Sequence, residues 1–289
     1  MKTLRAVSEI RAYVAQARAA GRTVGLVPTM GAFHAGHRSL MRAARRRCDE
    51  VVVWLFVNPK QFEEAGDLAA YPRDESRDAI DAASLGVDVL FAPALDEVYP
   101  PGFATSVHVH GLSDVLEGAE RGVSHFTGVC TIVTKMLNMV TPDLVFFGQK
   151  DAQQVAVVRR MVRDLNIPVE VVVMPTVREP DGLALSSRNV RLGRDDRRRA
   201  VALARGLRAA EEAVGDGERD ADRITAAARA AMEDVEPEYL ALVDPDSFEP
   251  IENVNGRVLV AVAARIGDTR LIDNTIIHTA ATPDGAPTT

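Results

Sequence analysis

The stretch VGLVPTMGAFHAGHRSL, residues 24–40, runs from an apolar segment into a turn of glycine and histidine and then into a helical pattern. Apolarity without alternation suits a strand buried on both faces. Glycines let a backbone approach an anion closely, and the start of the following helix offers unpaired N–H groups and the positive end of a dipole. Pro28, Thr29, Met30, Gly31, Ala32, Phe33, His34, Ala35, Gly36 and His37 therefore form a candidate anion-binding turn. Gly31 and Gly36 keep the G-x4-G spacing of a phosphate loop, but His37 and Arg38 stand where that loop needs Lys and Ser or Thr, which excludes it. His34 and His37, separated by Ala35 and Gly36, can face one pocket and donate to phosphate oxygens.

Outward from this turn, apolar runs recur at 51–57, 87–91, 144–147 and 169–173. Helical patterns lie between them at about 36–48, 74–85, 127–140 and 151–165. Alternating strand and helix predict an α/β fold: a Rossmann-like parallel sheet with right-handed crossovers and helices on both faces. Ligands of such sheets bind beyond the carboxyl ends of the strands. After about residue 177 the texture changes to Ala- and Arg-rich helical patterns at 194–214 and 219–234, then strands at 239–243, 257–264 and 270–273. Two domains are expected, a Rossmann-like one over 1–176 and a smaller α+β one over 177–289, with a turn at Asp181 and Gly182 near the junction.

The composition agrees with this division. A chain of 289 residues with 47% hydrophobic residues can bury two cores. A net charge of −7 gives no whole-protein reason to approach nucleic acid or an anionic membrane. The first 21 residues read as an amphipathic helix ending at Gly21 rather than as a signal peptide, and no run reaches the roughly 18 apolar residues of a membrane span. A cytoplasmic protein is expected. Cys48 and Cys130 form no CxxC pair and are expected to be packed thiols. The final nine residues, ATPDGAPTT, lack a pattern and are expected to fray.

Three more segments carry polar groups. FVNPKQF, residues 56–62, places Asn58 and Gln61 after the second apolar run, and FFGQKDAQQ, residues 146–154, places Gly148, Gln149, Lys150, Asp151 and Gln154 after the fourth. Amides can bind a hydroxyl or carboxylate without adding charge, and lysine can meet a phosphate. Asp151 can equally be a helix cap. LALSSRN, residues 183–189, offers Ser186, Ser187 and Arg188, suited to the spread charge of a pyrophosphate or simply to a polar turn.

Taken in order, PTMGAFHAGH, FVNPKQF with YPRD at 71–74, HFTGV with FFGQKDAQQ, and PTVREPDGLALSSRN closely resemble the pantoate–β-alanine ligase family over residues 4–273. The resemblance implies an acid–amino-acid ligase that joins pantoate to β-alanine, with ATP cleaved to AMP and pyrophosphate through a pantoyl adenylate. By position it implies that Met30 to His37 bind ATP, with His37 as proton donor and His34 assisting. Gly148, Gln149, Lys150, Asp151, Val177, Leu185, Ser186, Ser187 and Arg188 supply the remaining ATP contacts, Lys150 and Ser186 to Arg188 nearest the phosphates. Gln61 and Gln154 hold pantoate, with Asn58 and His125 near the substrates. Magnesium and a homodimer are implied too. A C-terminal domain closing as a lid is expected on separate grounds, because residues 185–188 lie past the domain junction while their polar groups suit ATP. Gln149, Leu185, Ala152 and Ala35 depart from the usual Glu, Met, aromatic and acidic residues, which bears on nucleotide affinity rather than on any catalytic group. A nucleotidyltransferase and a nucleotide-binding module without turnover are the alternatives.

Overall fold

The strands form where β-branched runs can be buried on both faces. The computed structural model describes residues 1–62, 65–69, 71–233 and 235–279, so the expected fraying of the last nine residues lies outside the described residues, as does residue 234, the last of the helix expected at 219–234. The chain divides into two compact units, one of residues 1–149 and 153–177, the other of residues 150–152 and 178–289.

Six parallel strands build the first unit: β1 (Lys2–Leu4), β2 (Val24–Thr29), β3 (Glu50–Leu55), β4 (Val89–Phe91), β5 (Leu144–Gly148) and β6 (Glu170–Met174). They lie in the order β1-β4-β3-β2-β5-β6. On one face the helix Ala35–Arg47 packs Leu40, Met41 and Ala44 against Val27, Val51, Val53 and Phe146. Strand order reverses between β2 and β5, because the chain leaves β2 toward β3 and β4 and returns on the other side to β5. The crevice beyond the carboxyl ends of β2 and β5 is thus where a doubly wound sheet takes its ligand. Thr29 ends β2 there and Gly148 ends β5.

The first 21 residues are not one helix. Lys2–Leu4 pairs in parallel with β4, Thr3 opposite Leu90, and the helix begins only at Val7. Glu9 accepts hydrogen bonds from the Arg5 and Ala6 amides, both at 2.9 Å, and so stops the helix from extending backward. A three-residue strand is too short to show a period.

In the second unit β7 (Tyr239–Val243), β8 (Arg257–Ile266) and β9 (Thr269–His278) form an antiparallel sheet in that order. The helices Val201–Gly215 and Ala221–Ala231 cover it, joining Leu203, Leu207, Ile224 and Met232 to Val258, Val260 and Val262. The pattern over 194–214 breaks at Ala200 into Arg194–Arg199 and Val201–Gly215. β9 runs to His278, beyond the expected 270–273, because the two-residue turn at Gly267 and Asp268 fixes a register that carries polar Asn274 and Thr275 through the pairing.

Both cysteines are buried free thiols. Burial pushes the Cys48 thiol up to about 11, the nearby arginines opposing, and the Cys130 thiol up to about 12. Cys48 lies against Gly25 in β2, where a Cβ would meet its Sγ at 2.6 Å and Phe146 at 3.3 Å. Gly25→Ala should therefore lower unfolding stability by about 1–3 kcal/mol through overpacking. Adding Cys48→Ala should recover part of that loss in urea denaturation, and strict additivity of the two changes would refute the contact.

Candidate active site

The turn after β2 is held from outside itself. Gly31 and Ala32 take left-handed backbone angles, φ +89° and +53°, which bend the chain sharply between strand and helix. Asp78, in the helix Glu75–Ser84, accepts the Ala32 amide on Oδ2 and the Phe33 amide on Oδ1, each at 2.9 Å. Gly31 must lack a side chain, since a Cβ would meet Asp78 Oδ2 at 2.9 Å and Leu55 at 3.0 Å. The Ala32 and Phe33 amides, read from sequence as possible anion donors, are thus already occupied by a carboxylate of this chain. Burial pushes the Asp78 carboxyl above its ordinary range, opposed by the Phe33 and Ala32 amides and reinforced by Asp74 and Asp81.

His34 caps the helix Ala35–Arg47: its Nδ1 accepts the Gly36 amide at 3.1 Å. His37 Nδ1 accepts the His34 amide at 3.4 Å. A ring nitrogen that accepts cannot carry the proton, so both rings fit the neutral form protonated at Nε2. The rings lie 4.1 Å apart at 38° and form a paired set of donors at the mouth of the switch crevice.

The turn after β3 joins this one. Gln61 donates from Nε2 to Met30 Sδ at 3.0 Å and accepts from Asn58 Nδ2 at 3.1 Å. Sulfur is a weak acceptor, so the Gln61 amide can exchange Met30 for a ligand oxygen at a gain. Asn58 is only 1% exposed and its bonds are internal, to Gln61, Gly128 O, the Lys60 amide and the Tyr99 hydroxyl. It orients Gln61 rather than presenting itself to solvent. His125 Nδ1 lies 3.0 Å from Gln61 O, and at Gly128 a Cβ would collide with Lys60 O at 2.2 Å. The helix Val123–Val140 therefore braces the Gln61 turn directly. Gln154 stands half-buried, while its neighbour Gln153 is buried and holds Leu112 O and Val115 O at 2.7 Å and the Glu117 amide at 2.9 Å.

The remaining residues group separately. Lys150 and Asp151 belong to the second unit, with their side chains 3.6 Å apart. Asn274 Nδ2 donates to Lys150 O at 2.9 Å, and the adjacent Asp273 takes Arg178 in a two-point ion pair at 2.5 and 3.0 Å. Burial raises the Asp273 carboxyl, with Arg178 opposing most strongly and the Asn274 amide and Lys150 adding to it. Ser186 Oγ accepts the Arg188 amide at 3.2 Å and caps the short turn Ser187–Arg191, while Asn189 donates to Ala184 O at 3.0 Å. Val177 and Leu185 are half-buried. By unit, Met30 to His37, Asn58, Gln61, His125, Gly148, Gln149, Gln154 and Val177 belong to the first, and Lys150, Asp151, Leu185, Ser186, Ser187 and Arg188 to the second. Direct contacts join Met30, Asn58, Gln61 and His125. Asp78, Arg178, Asp273 and Asn274 escaped the sequence reading. For Asp78 and Asp273 the available signal was a charged residue within a helix or strand pattern; Arg178 and Asn274 offered none.

A doubly wound sheet with a histidine-bearing turn at its switch point defines a nucleotide-binding α/β protein, and known proteins narrow the class. Residues 2–276 match the family model described as pantoate-beta-alanine ligase, and the chain belongs to that family. It is 50% identical over 285 residues to the pantothenate synthetase of Moorella thermoacetica, covering 96% of this chain and 99% of that one. Against that of Cereibacter sphaeroides the identity is 52% over 276 residues, covering 94% and 98%. The crystal structure of pantothenate synthetase from Thermus thermophilus superposes with a TM-score of 0.90 at 45% identity, covering 95% and 99%. The ligase of Francisella tularensis, solved in complex with beta-gamma ATP and beta-alanine, gives 0.78 at 32% identity, covering 96% and 97%. The family resemblance read from the four motifs is thereby established, and the chain is an enzyme of the ligase class.

Asp78→Ala leaves two turn amides without a partner and should cost about 1–3 kcal/mol for each. Because the folded state holds the Asp78 proton above the unfolded value of about 3.9, the linked stability is full below that value and falls as pH rises through the folded one. The urea midpoint of the wild type relative to Asp78→Asn should therefore decline as pH rises above about 3.9, the unfolded value. A rising difference would mean that the two amides, not burial, govern the carboxyl.

Proposed function

We propose that this chain condenses pantoate with β-alanine, cleaving ATP to AMP and pyrophosphate through a pantoyl adenylate. The observation that carries the reading is the pair of Nε2–H donors, His34 and His37, fixed by backbone amides at the switch point of the sheet. Family membership and the nucleotide complex of the Francisella enzyme support it.

The pantoate carboxylate attacks the α-phosphorus of ATP, the bond to the β-phosphate oxygen breaks, and pyrophosphate leaves. The neutral amine of β-alanine then attacks the acyl carbon of the mixed anhydride, AMP departs, and the amine loses a proton. No covalent enzyme intermediate is needed, so rate comes from alignment and from charge stabilisation. His34 and His37 donate to phosphate oxygens. Lys150, Ser186, Ser187 and Arg188 offset pyrophosphate charge, and Met30 to Gly36, Gly148, Gln149, Asp151, Val177 and Leu185 complete the nucleotide contacts. Gln61 and Gln154 hold pantoate by their amides, Asn58 sets the Gln61 rotamer, and His125 fixes the Gln61 backbone.

Magnesium fits as an ion carried by the nucleotide. Asp78 and Asp273 are committed to internal bonds, whereas Asp151 is half-exposed in an ATP-assigned segment and can add one oxygen to those of the triphosphate. When bound, the ion neutralises phosphate charge. A cytoplasmic homodimer accompanies this reading. Among the described residues no helix is long and apolar enough to cross a membrane.

AMP release should require ATP, pantoate and β-alanine together. Release that needs a phosphate acceptor instead would mark a nucleotidyltransferase, and none at all a binding module. His37→Ala and Lys150→Ala should each slow adenylate formation by roughly a hundred- to a thousandfold in single-turnover quench experiments. Wild-type rates in both would refute their roles at the phosphates.

A further inference from the structure

A second cluster of ligand-type side chains lies in the first unit, on the segment before the helix Val123–Val140. His108, His110 and Asp114 each present an atom within 4.8 Å of the others. The segment is pinned along that helix at two points one turn apart, where Thr131 accepts the Val107 amide at 3.0 Å and Thr127 meets His108 Nδ1 at 2.9 Å. Gly111, at φ +79°, turns the chain so that Asp114 comes back beside the histidines.

The protons decide what the cluster is suited to. Thr127 donates its own hydroxyl hydrogen to Val123 O at 2.8 Å, so its oxygen accepts from His108. His108 therefore carries a proton on Nδ1, and in the neutral ring its Nε2 lone pair faces Asp114 Oδ1 at 3.7 Å. The other Asp114 oxygen is fixed by the Gly111 amide at 2.8 Å. Two electron-rich atoms thus face each other at a distance too long for a hydrogen bond, each oriented by a bond on its far side. That is the arrangement of metal-ligating histidine and carboxylate with their supporting shell in place. The His110 ring, 4.5 Å from that of His108 at 71°, supplies a third donor from the exposed side.

We propose that His108, His110 and Asp114 bind a divalent transition ion of the zinc class, distinct from any magnesium that accompanies the nucleotide. Two imidazoles and one carboxylate select such an ion over magnesium or calcium, which take oxygen ligands. Ligand atoms about 2.0–2.2 Å from a tetrahedral ion lie about 3.3 Å apart, so the 3.7 Å pair needs only a small contraction. Three protein ligands leave the fourth position to water. The ion would tie the 107–114 segment to the helix whose first turn carries His125.

Cobalt is the probe, because tetrahedral Co2+ absorbs visibly far more strongly than the aqueous ion. Protein without a polyhistidine tag, dialysed against chelator, should take up one equivalent with tetrahedral bands that Zn2+ removes and excess Mg2+ does not. His110→Gln and Asp114→Asn, both at exposed positions, should abolish the bands, and Thr127→Val should weaken binding about 10–100-fold by releasing His108. Absence of bands in the wild type would overturn the site and leave the facing pair as an ion pair of a protonated His108 with Asp114. Bands that persist in both His110→Gln and Asp114→Asn would overturn it too, placing the ion at other histidines. AMP release is read separately, so the ligase assignment stands or falls independently of this result.

Discussion

The turn between β2 and the helix Ala35–Arg47 depends on one buried carboxylate. A strand that must stop at Thr29 and a helix that must start at Ala35 leave five residues between them, two of which hold left-handed angles. Such a bend exposes consecutive amides, and it keeps one shape only if something accepts them. Asp78 does so from another helix, and Gly31 leaves it the space. With the bend fixed, the His34 and His37 rings acquire backbone partners at Nδ1, and their Nε2–H groups become donors of defined direction. Electrostatic catalysis needs this kind of preorganisation, since donors that must reorient during reaction lose most of their advantage.

A parallel arrangement supports the amide side of the site. Gln61 sits between a strong acceptor contact from Asn58 and a weak one to Met30, with its backbone held by His125 and crowded by Gly128. Asn58 can do this because Tyr99 donates its hydroxyl to the Asn58 carbonyl, and burial raises the Tyr99 phenol so that it stays protonated. The rotamer of one amide is thus set by three elements. The sulfur contact is the cheap one to exchange for a substrate oxygen.

The second unit includes a short segment, Lys150–Ala152, that is far from the rest of that unit in sequence. Lys150–Ala152 groups with residues 178–289 although both flanking stretches belong to the first unit. Asn274 grips Lys150 O, and the adjacent Asp273 is locked by Arg178. Removing Arg178 would leave a buried carboxylate uncompensated, so the ion pair specifies the local conformation more than it adds net stability.

Periodicity sufficed for the parallel sheet, because strands buried on both faces must be apolar throughout and helices between them must be amphipathic. The turn at residues 28–37 was legible for a similar reason: glycines, paired histidines and a helix start are local chemistry, and three more motifs in order narrowed it to one family. Strand β1 was illegible, since three residues carry no period and its pairing with β4 is made across the sheet. So were Asp78 and Asp273, because a charged residue on a helix or strand reads as a surface group until its partner is in place. The sequence by itself determined the family and the polar groups set at the strand ends. Tertiary structure alone decided which of them are held by others, because a hydrogen bond between residues 46 apart, as from Ala32 to Asp78, leaves no trace in local pattern.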